Sequence, residues 1–179
     1  METSDVLSPS PADASVRPAV GADVQAVGAV HSRSWRTAYA GHLPAELLSE
    51  LEPELLAQGW SEAVSDPPTP RHRVVVACAG PTVVGFAACD DQGEVVALHV
   101  DPTHQRRGHG SRLLSALVDH LRPAGADRLS TWCPVVDTAR RDFFGSAGLE
   151  PDGAWRELEV PGAEAGLREA RLVASLADQ

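Results

Sequence analysis

Tyrosine occurs once in this 179-residue chain, at Tyr39, so any chemistry that needs a phenol has a single candidate. Cysteine is nearly as scarce: Cys78, Cys89 and Cys133 are odd in number, show no C-x-x-C spacing and lie in strand-like runs. They read as buried reduced thiols, which excludes a disulfide framework and a thiolate metal site. The seven histidines form no His-x-x-x-His pair and no Cys/His cluster, so no metal is expected. No apolar run reaches the ~18 residues of a membrane span, and the N-terminus lacks the charged-then-apolar order of a secretory signal. A cytoplasmic location without membrane attachment is the resulting expectation. Basic residues number 15 against 25 acidic ones, for a formal net charge of −10. That balance argues against nucleic acid as a partner and is compatible with cationic amines.

What is present suits one globular domain: 43% of residues are hydrophobic and 22% charged. Residues 1–14 have no apolar periodicity and are rich in Ser, Pro and Asp, which predicts a disordered tail before a single domain at 15–179. Ser15–Ala19 reads as a short strand, and Val24, Val27, Val30, His31 and Trp35 follow a helical pattern. A second helical region begins near Pro44 and breaks at Pro53, a suitable first helical residue. Arg73–Ala79 and Thr82–Cys89 read as a hairpin turning at Gly80-Pro81, and Glu94–Val100 continues the meander. Leu113, Leu114, Leu117, Val118 and Leu121 make one apolar helix face, stopped by Arg122-Pro123-Ala124-Gly125. Asp127–Cys133 then reads as a strand parallel to its predecessor. A helix at Thr138–Ala147 and strands at Ala154–Val160 and Leu167–Ala174 complete the order β-α-α-β-β-β-α-β-α-β-β, an α/β chain with a mixed (α+β) sheet.

Between the third-strand meander and the Leu-rich helix lies Gln105-Arg106-Arg107-Gly108-His109-Gly110-Ser111. Its glycines let the backbone curl with N–H groups inward, and the helix that follows aims its unpaired N–H groups at the same spot. Such a loop holds a phosphate ester. It is neither a Rossmann fingerprint, since Leu113 stands where a third small residue is needed, nor a P-loop, since no Gly-Lys-Ser/Thr follows.

The loop resembles the Gln/Arg-x-x-Gly-x-Gly/Ala segment with which the GNAT superfamily of N-acetyltransferases cradles the pyrophosphate of acetyl-coenzyme A. Leu98-His99-Val100-Asp101-Pro102 is similar to the end of that family's fourth strand. Asp137-Thr138-Ala139-Arg140 to Leu149 resembles its Asn-x-x-Ala/Arg…Phe-Tyr-x-x-x-Gly-Phe segment. His31 to Pro44 resembles the Ser-Trp-x-x-Ala-Tyr-x-Gly-x-Leu-Pro run of one large bacterial branch. The resemblance implies the GNAT fold, with a splayed central strand pair, and acetyl-CoA as cosubstrate. By the same resemblance, Gln105, Arg106, Arg107, Gly108, His109, Gly110 and Ser111 hold the phosphates. Leu98, His99 and Val100 line the pantetheine and offer a main-chain N–H to an oxyanion, Asp137 stands where the family's Asn bonds the cofactor, and Phe144 either lines the thioester arm or packs in the core.

Two departures stand out: Asp137 replaces the usual Asn, and Phe144 replaces the Tyr that would protonate the leaving thiolate. A phenolic acid must therefore be Tyr39 brought over from the N-terminal helices; otherwise water, Cys133 or no acid serves. A thiol of pKa near ~8.5 is a fair leaving group in any case. The attacking amine must be neutral, which calls for a base, and Glu94 and His99 are the candidates. Alternation sends Glu94 and His99 to opposite faces of a regular strand, so both can serve one site only across a bulge. Trp35 and Tyr39, four apart on one helix face, read either as an aromatic wall for the acceptor or as core. Trp60, Trp132 and Trp155 read as packing. No nucleophile–base pair suggests a covalent intermediate, so the expected reaction is direct acetyl transfer in a ternary complex to a small-molecule amine or a protein N-terminus. The alternative is a catalytically degenerate acyl-CoA-binding sensor or structural protein. The resemblance also allows a homodimer.

Overall fold

The computed structural model describes residues 14–163 and 165–177. The expected tail lies outside the described residues except for Ala14, which opens the first strand. Four strands, β1 (Ala14–Pro18), β2 (Arg73–Ala79), β3 (Thr82–Cys89) and β4 (Val95–Val100), form an antiparallel sheet in that order. A second antiparallel sheet has the order β5 (Arg128–Pro134), β7 (Leu167–Ser175), β6 (Glu150–Leu158). Between the two, β4 and β5 run parallel but touch through one isolated bridge, Glu94 to Ser130. The Ser130 N–H donates to the Gly93 carbonyl at 3.0 Å and the Thr131 hydroxyl to the Val95 carbonyl at 2.9 Å. Beyond that point the pair splays, as expected.

The first sheet is covered on both faces, which is why β2 carries three consecutive buried valines. Val75 and Ala77 face one core with the helix α4 (His109–Leu121), and Val74, Val76 and Cys78 face another with α1 (Val24–Ala38) and α3 (Pro53–Ser65). In α4 the buried residues Leu113, Leu114, Leu117 and Leu121 make the apolar stripe that the sequence pattern requires. The second helical region is two helices, a short α2 (Ala45–Ser49) and α3, divided where Pro53 takes the first turn. The helix α5 (Thr138–Ser146) lies against the first core through Phe144.

Several boundaries differ from expectation, β1 by one residue at each end. β4 begins at Val95, with Glu94 in the bridge, and β5 is shifted by one residue. β6 starts four residues early, at Glu150, because Gly153 at φ +87° carries an irregularity between Pro151 and Trp155 that lets the strand pair on both sides of it. Pro151 is tolerated because β6 is an edge strand.

Gly28 fixes the approach of α1 to α3. A Cβ there would stand 2.2 Å from the Pro53 carbonyl oxygen and 2.7 Å from the Ala57 nitrogen, both main-chain atoms that cannot swing aside. Gly28→Ala is expected to lower stability by about 3 kcal/mol, the upper end of overpacking, read as a shift in the urea midpoint at unchanged slope.

Candidate functional site

The Gly-rich loop follows β4 after a 3₁₀ turn at Pro102–His104. Arg106 and Gly108 both adopt left-handed backbone, at φ +62° and +80°, and Arg106 is the one non-glycine with positive φ among the described residues. Holding an arginine there costs about 1–2 kcal/mol. The alternation makes a concave nest. Among the described residues, none accepts from the main-chain N–H groups of Arg106 to Ser111. Gln105 to Gly108 and Ser111 are exposed, and a Cβ on Gly110 would press on the Phe143 ring at 3.2 Å. His109, by contrast, is buried under the loop, and its Nδ1 has no hydrogen-bond partner. Burial first, then Arg112, His104 and Arg107, hold its pKa below the usual histidine value.

β4 carries a bulge where its register against β3 shifts, so that Ala88 pairs with Ala97 and Cys89 with Val95. The extra residue, Val96, is 51% exposed. The bulge reverses the alternation: Val95 and Leu98 both enter the α4 core, while Ala97 and His99 face α1. Glu94, on the face opposite Val95, therefore shares the α1 side with His99. This is the relaxation that two candidates on one regular strand require. Glu94 is half-buried, and burial first, then Asp90, raise its pKa above the usual carboxylate value; Arg156 and the nearby Trp132 indole work the other way.

His99 is stacked on His31 at 4.9 Å and packs against Phe86 at 5.4 Å. Burial, with Arg140 and His31, holds its pKa well below the ordinary value, so the ring is neutral at pH 7 and a weak base. His31 accepts from the Trp60 indole N–H at Nδ1, 3.1 Å, which leaves its proton on Nε2. Burial lowers its pKa to about 4.

Tyr39 does reach the far side of the molecule. It is 4% exposed, and its hydroxyl donates to Asp137 Oδ2 at 3.3 Å. Asp137 caps α5, Oδ1 accepting from the Arg140 N–H at 2.9 Å. Burial, and then Asp137, push the phenol pKa upward, so it stays protonated and able to donate. From the first turn of α5 the Arg140 side chain crosses the gap: Nη1 donates to the Leu98 carbonyl at 2.9 Å, and the guanidinium lies 5.1 Å from the Phe144 ring centre. Because a strand residue turns its C=O and N–H to the same edge, the Leu98 N–H faces the gap too. The Val100 carbonyl accepts from Ser34 at 3.1 Å and Gln105 at 3.2 Å. Cys133 is fully buried beside the gap, and burial raises its thiol pKa. Trp35 packs on Tyr39 at 4.9 Å, and its indole N–H is buried without a partner.

Residues 31–149 match the model of the acetyltransferase (GNAT) family. The chain belongs to that family. It is 28% identical over 162 residues to a protein of Mycobacterium tuberculosis described as a probable N-acetyltransferase, covering 83% of this chain and 88% of the relative. It is 34% identical over 122 residues to the mycothiol acetyltransferase of Nocardiopsis dassonvillei, covering 54% of this chain and 35% of the relative, so it spans about a third of that enzyme. In fold it is similar to the PaiA N-acetyltransferase of Thermoplasma acidophilum in complex with coenzyme A, with a TM-score of 0.69 at 16% identity over 88% of this chain and 97% of that one.

In this acetyltransferase the surroundings of four side chains were not foreseen. Arg140 stood in the α5 motif, but nothing in the spacing told that its guanidinium would cross to β4. Trp60 and Trp132 make polar contacts as well as filling space: Trp60 donates to His31, and Trp132 lies beside Glu94 with the Arg156 guanidinium 4.4 Å from its ring centre. Trp155 is not packing at all; it is 58% exposed on edge strand β6, with the Arg168 guanidinium 4.5 Å from its ring centre. Among the described residues no group of three or more His, Cys, Asp or Glu could hold a metal, and no helix is long and apolar enough to cross a membrane.

Proposed function

We propose that this protein is an acetyl-CoA-dependent N-acetyltransferase that moves the acetyl group to a primary amine by direct attack within a ternary complex. The observation that carries this reading is continuity: the phosphate nest follows β4, the strand that has Glu94 at its start, splays from β5, and meets at its Leu98 carbonyl the Arg140 side chain that lies beside Asp137 and Tyr39. The chain's residues fit the cosubstrate. The nest offers unpaired N–H groups, Arg106 and Arg107 are exposed beside it, and Gly108 and Gly110 admit an anion to the backbone.

Acetyl-CoA supplies an acetyl group activated as a thioester. Glu94 takes the proton of the attacking ammonium, directly or through water, and its raised pKa makes it a better base than an exposed carboxylate. The Leu98 N–H is placed to hold the carbonyl oxygen. Tyr39 is the proton donor to sulfur, in place of the tyrosine absent at Phe144, once its hydroxyl turns from Asp137 to the thiolate. Trp35, half-buried and packed with Tyr39 against Leu43 and Leu48, supplies the site's aromatic wall, and a compact amine acceptor suits that wall.

The test is acetyl-CoA with a wide panel of amines, free thiol being the readout. Thiol release that requires both protein and amine is expected; a protein that binds acetyl-CoA and transfers to no amine would replace this reading by that of a sensor. Tyr39→Phe is expected to lower kcat about 10-fold, less than the ~10²-fold or more typical of a general acid because a thiol leaves readily. KM for acetyl-CoA should stay within twofold.

A further inference from the structure

We propose that Arg140 holds the negative charge of the departing thiolate. This rests on the acetyl-CoA reading above, and it assigns the largest unassigned feature of the gap. Arg140 is half-buried and, like Arg71, Arg73 and Arg141, has no ion-pair partner among the described residues; what sets it apart is its place at the splay, with Nη1 on the Leu98 carbonyl. Its neighbour Asp137 is occupied by the Arg140 main-chain N–H and by Tyr39, not by the guanidinium. Taking a cation partly out of water without an anion is unfavourable, and the arrangement makes sense when an anion arrives there.

The position is right for that anion. The guanidinium is tethered to β4 through Leu98 and rests on Phe144, a ring with no hydroxyl to compete for its donors. It acts electrostatically on Tyr39, His99 and Cys133. One of its five N–H groups is spent on the Leu98 carbonyl and the Cys133 thiol lies within its reach, which leaves further donors for the sulfur of the cosubstrate.

In the reaction the amine nitrogen bonds to the acetyl carbon, and the carbon–sulfur bond breaks with its electron pair left on sulfur. Glu94 takes the first proton as the ammonium becomes a neutral amine, and the second, lost from nitrogen as the amide forms, leaves through water. Arg140 keeps all its protons and pairs with the thiolate, which then takes a proton from Tyr39 or water before the thiol leaves. Arginine thus provides charge where Tyr39 provides the proton, and the two roles are separable.

The direct test is the pKa of the thiol in the complex with CoA, followed by thiolate ultraviolet absorbance against the complex with desulfo-CoA, which subtracts the protein's three cysteines. In the wild-type complex the thiol should titrate about one unit or more below its free value of ~8.5. Arg140→Met should return it to the free value or above, and Arg140→Lys should keep most of the shift. Arg140→Met should also lower kcat about 30-fold, somewhat under the loss of a single oxyanion donor, with KM for acetyl-CoA unchanged or lower because the Leu98 carbonyl is freed. Tight CoA binding by the wild type with an unshifted thiol overturns the role of Arg140 and leaves the enzyme intact, whether or not the variants fold. Failure of the wild type to bind CoA overturns both.

Discussion

Glu94→Gln is expected to lower kcat by about 10³-fold, within the range of a positioned general base, while acetyl-CoA binds as before. The amide keeps the size of the side chain and its place beside Trp132 but cannot accept the amine's proton. The pH profile separates this from a structural effect. Burial and Asp90 raise the pKa of Glu94, so the wild-type rate should climb with pH along an acid limb above the ordinary carboxylate range, and the variant should lose that limb. Stability should move the other way. A carboxyl whose pKa is higher in the folded state favours folding fully below its unfolded pKa, and that contribution is lost as pH rises through the folded pKa. Ionised Glu94 thus opposes folding at neutral pH, and Glu94→Gln should leave Tm unchanged or raise it. An inactive variant with a depressed Tm would point to lost structure instead of a lost base.

Gly108→Val is expected to weaken acetyl-CoA binding by about 100-fold, or about 2.7 kcal/mol. At φ +80° a β-branched residue is strained, and relief of that strain turns the nest N–H groups away from the anion. The fold should tolerate the change, because a Cβ there meets only the movable end of Arg112, with Nη1 at 3.2 Å. Calorimetry on a variant with wild-type circular dichroism checks this. Unchanged affinity in such a protein would remove the loop from the binding site.

The loop was the most legible part of the chain, because its signal is local: glycine, basic residues and a helix start stand next to one another in sequence. Element order was legible for the same reason, each strand and helix carrying its own period and stop signals. The bulge at Val96 was not. Val95-Val96-Ala97 are all apolar, so nothing marks which residue drops out of the ladder, and only pairing with Cys89 and Ala88 decides it. Tyr39 could be nominated by elimination, as the single phenol, but its meeting with Asp137 across 98 residues is a product of tertiary packing. Arg140 lay beyond sequence reasoning, since a long side chain on a helix can turn to solvent or inward and the choice depends on the Leu98 carbonyl left unpaired by the splay. Trp155 was misjudged because an apolar ring gives no sign that its strand is an edge.

The account stands on the claim that the nest and gap together hold acetyl-CoA, and calorimetric titration of the wild-type protein with acetyl-CoA, beside 3′-dephospho-CoA, tests it most directly. One-to-one binding of acetyl-CoA, weakened for the dephospho compound if Arg106 and Arg107 also reach the 3′-phosphate, is the predicted result. No heat of binding up to millimolar concentrations of acetyl-CoA would contradict it, leaving the fold without the cosubstrate.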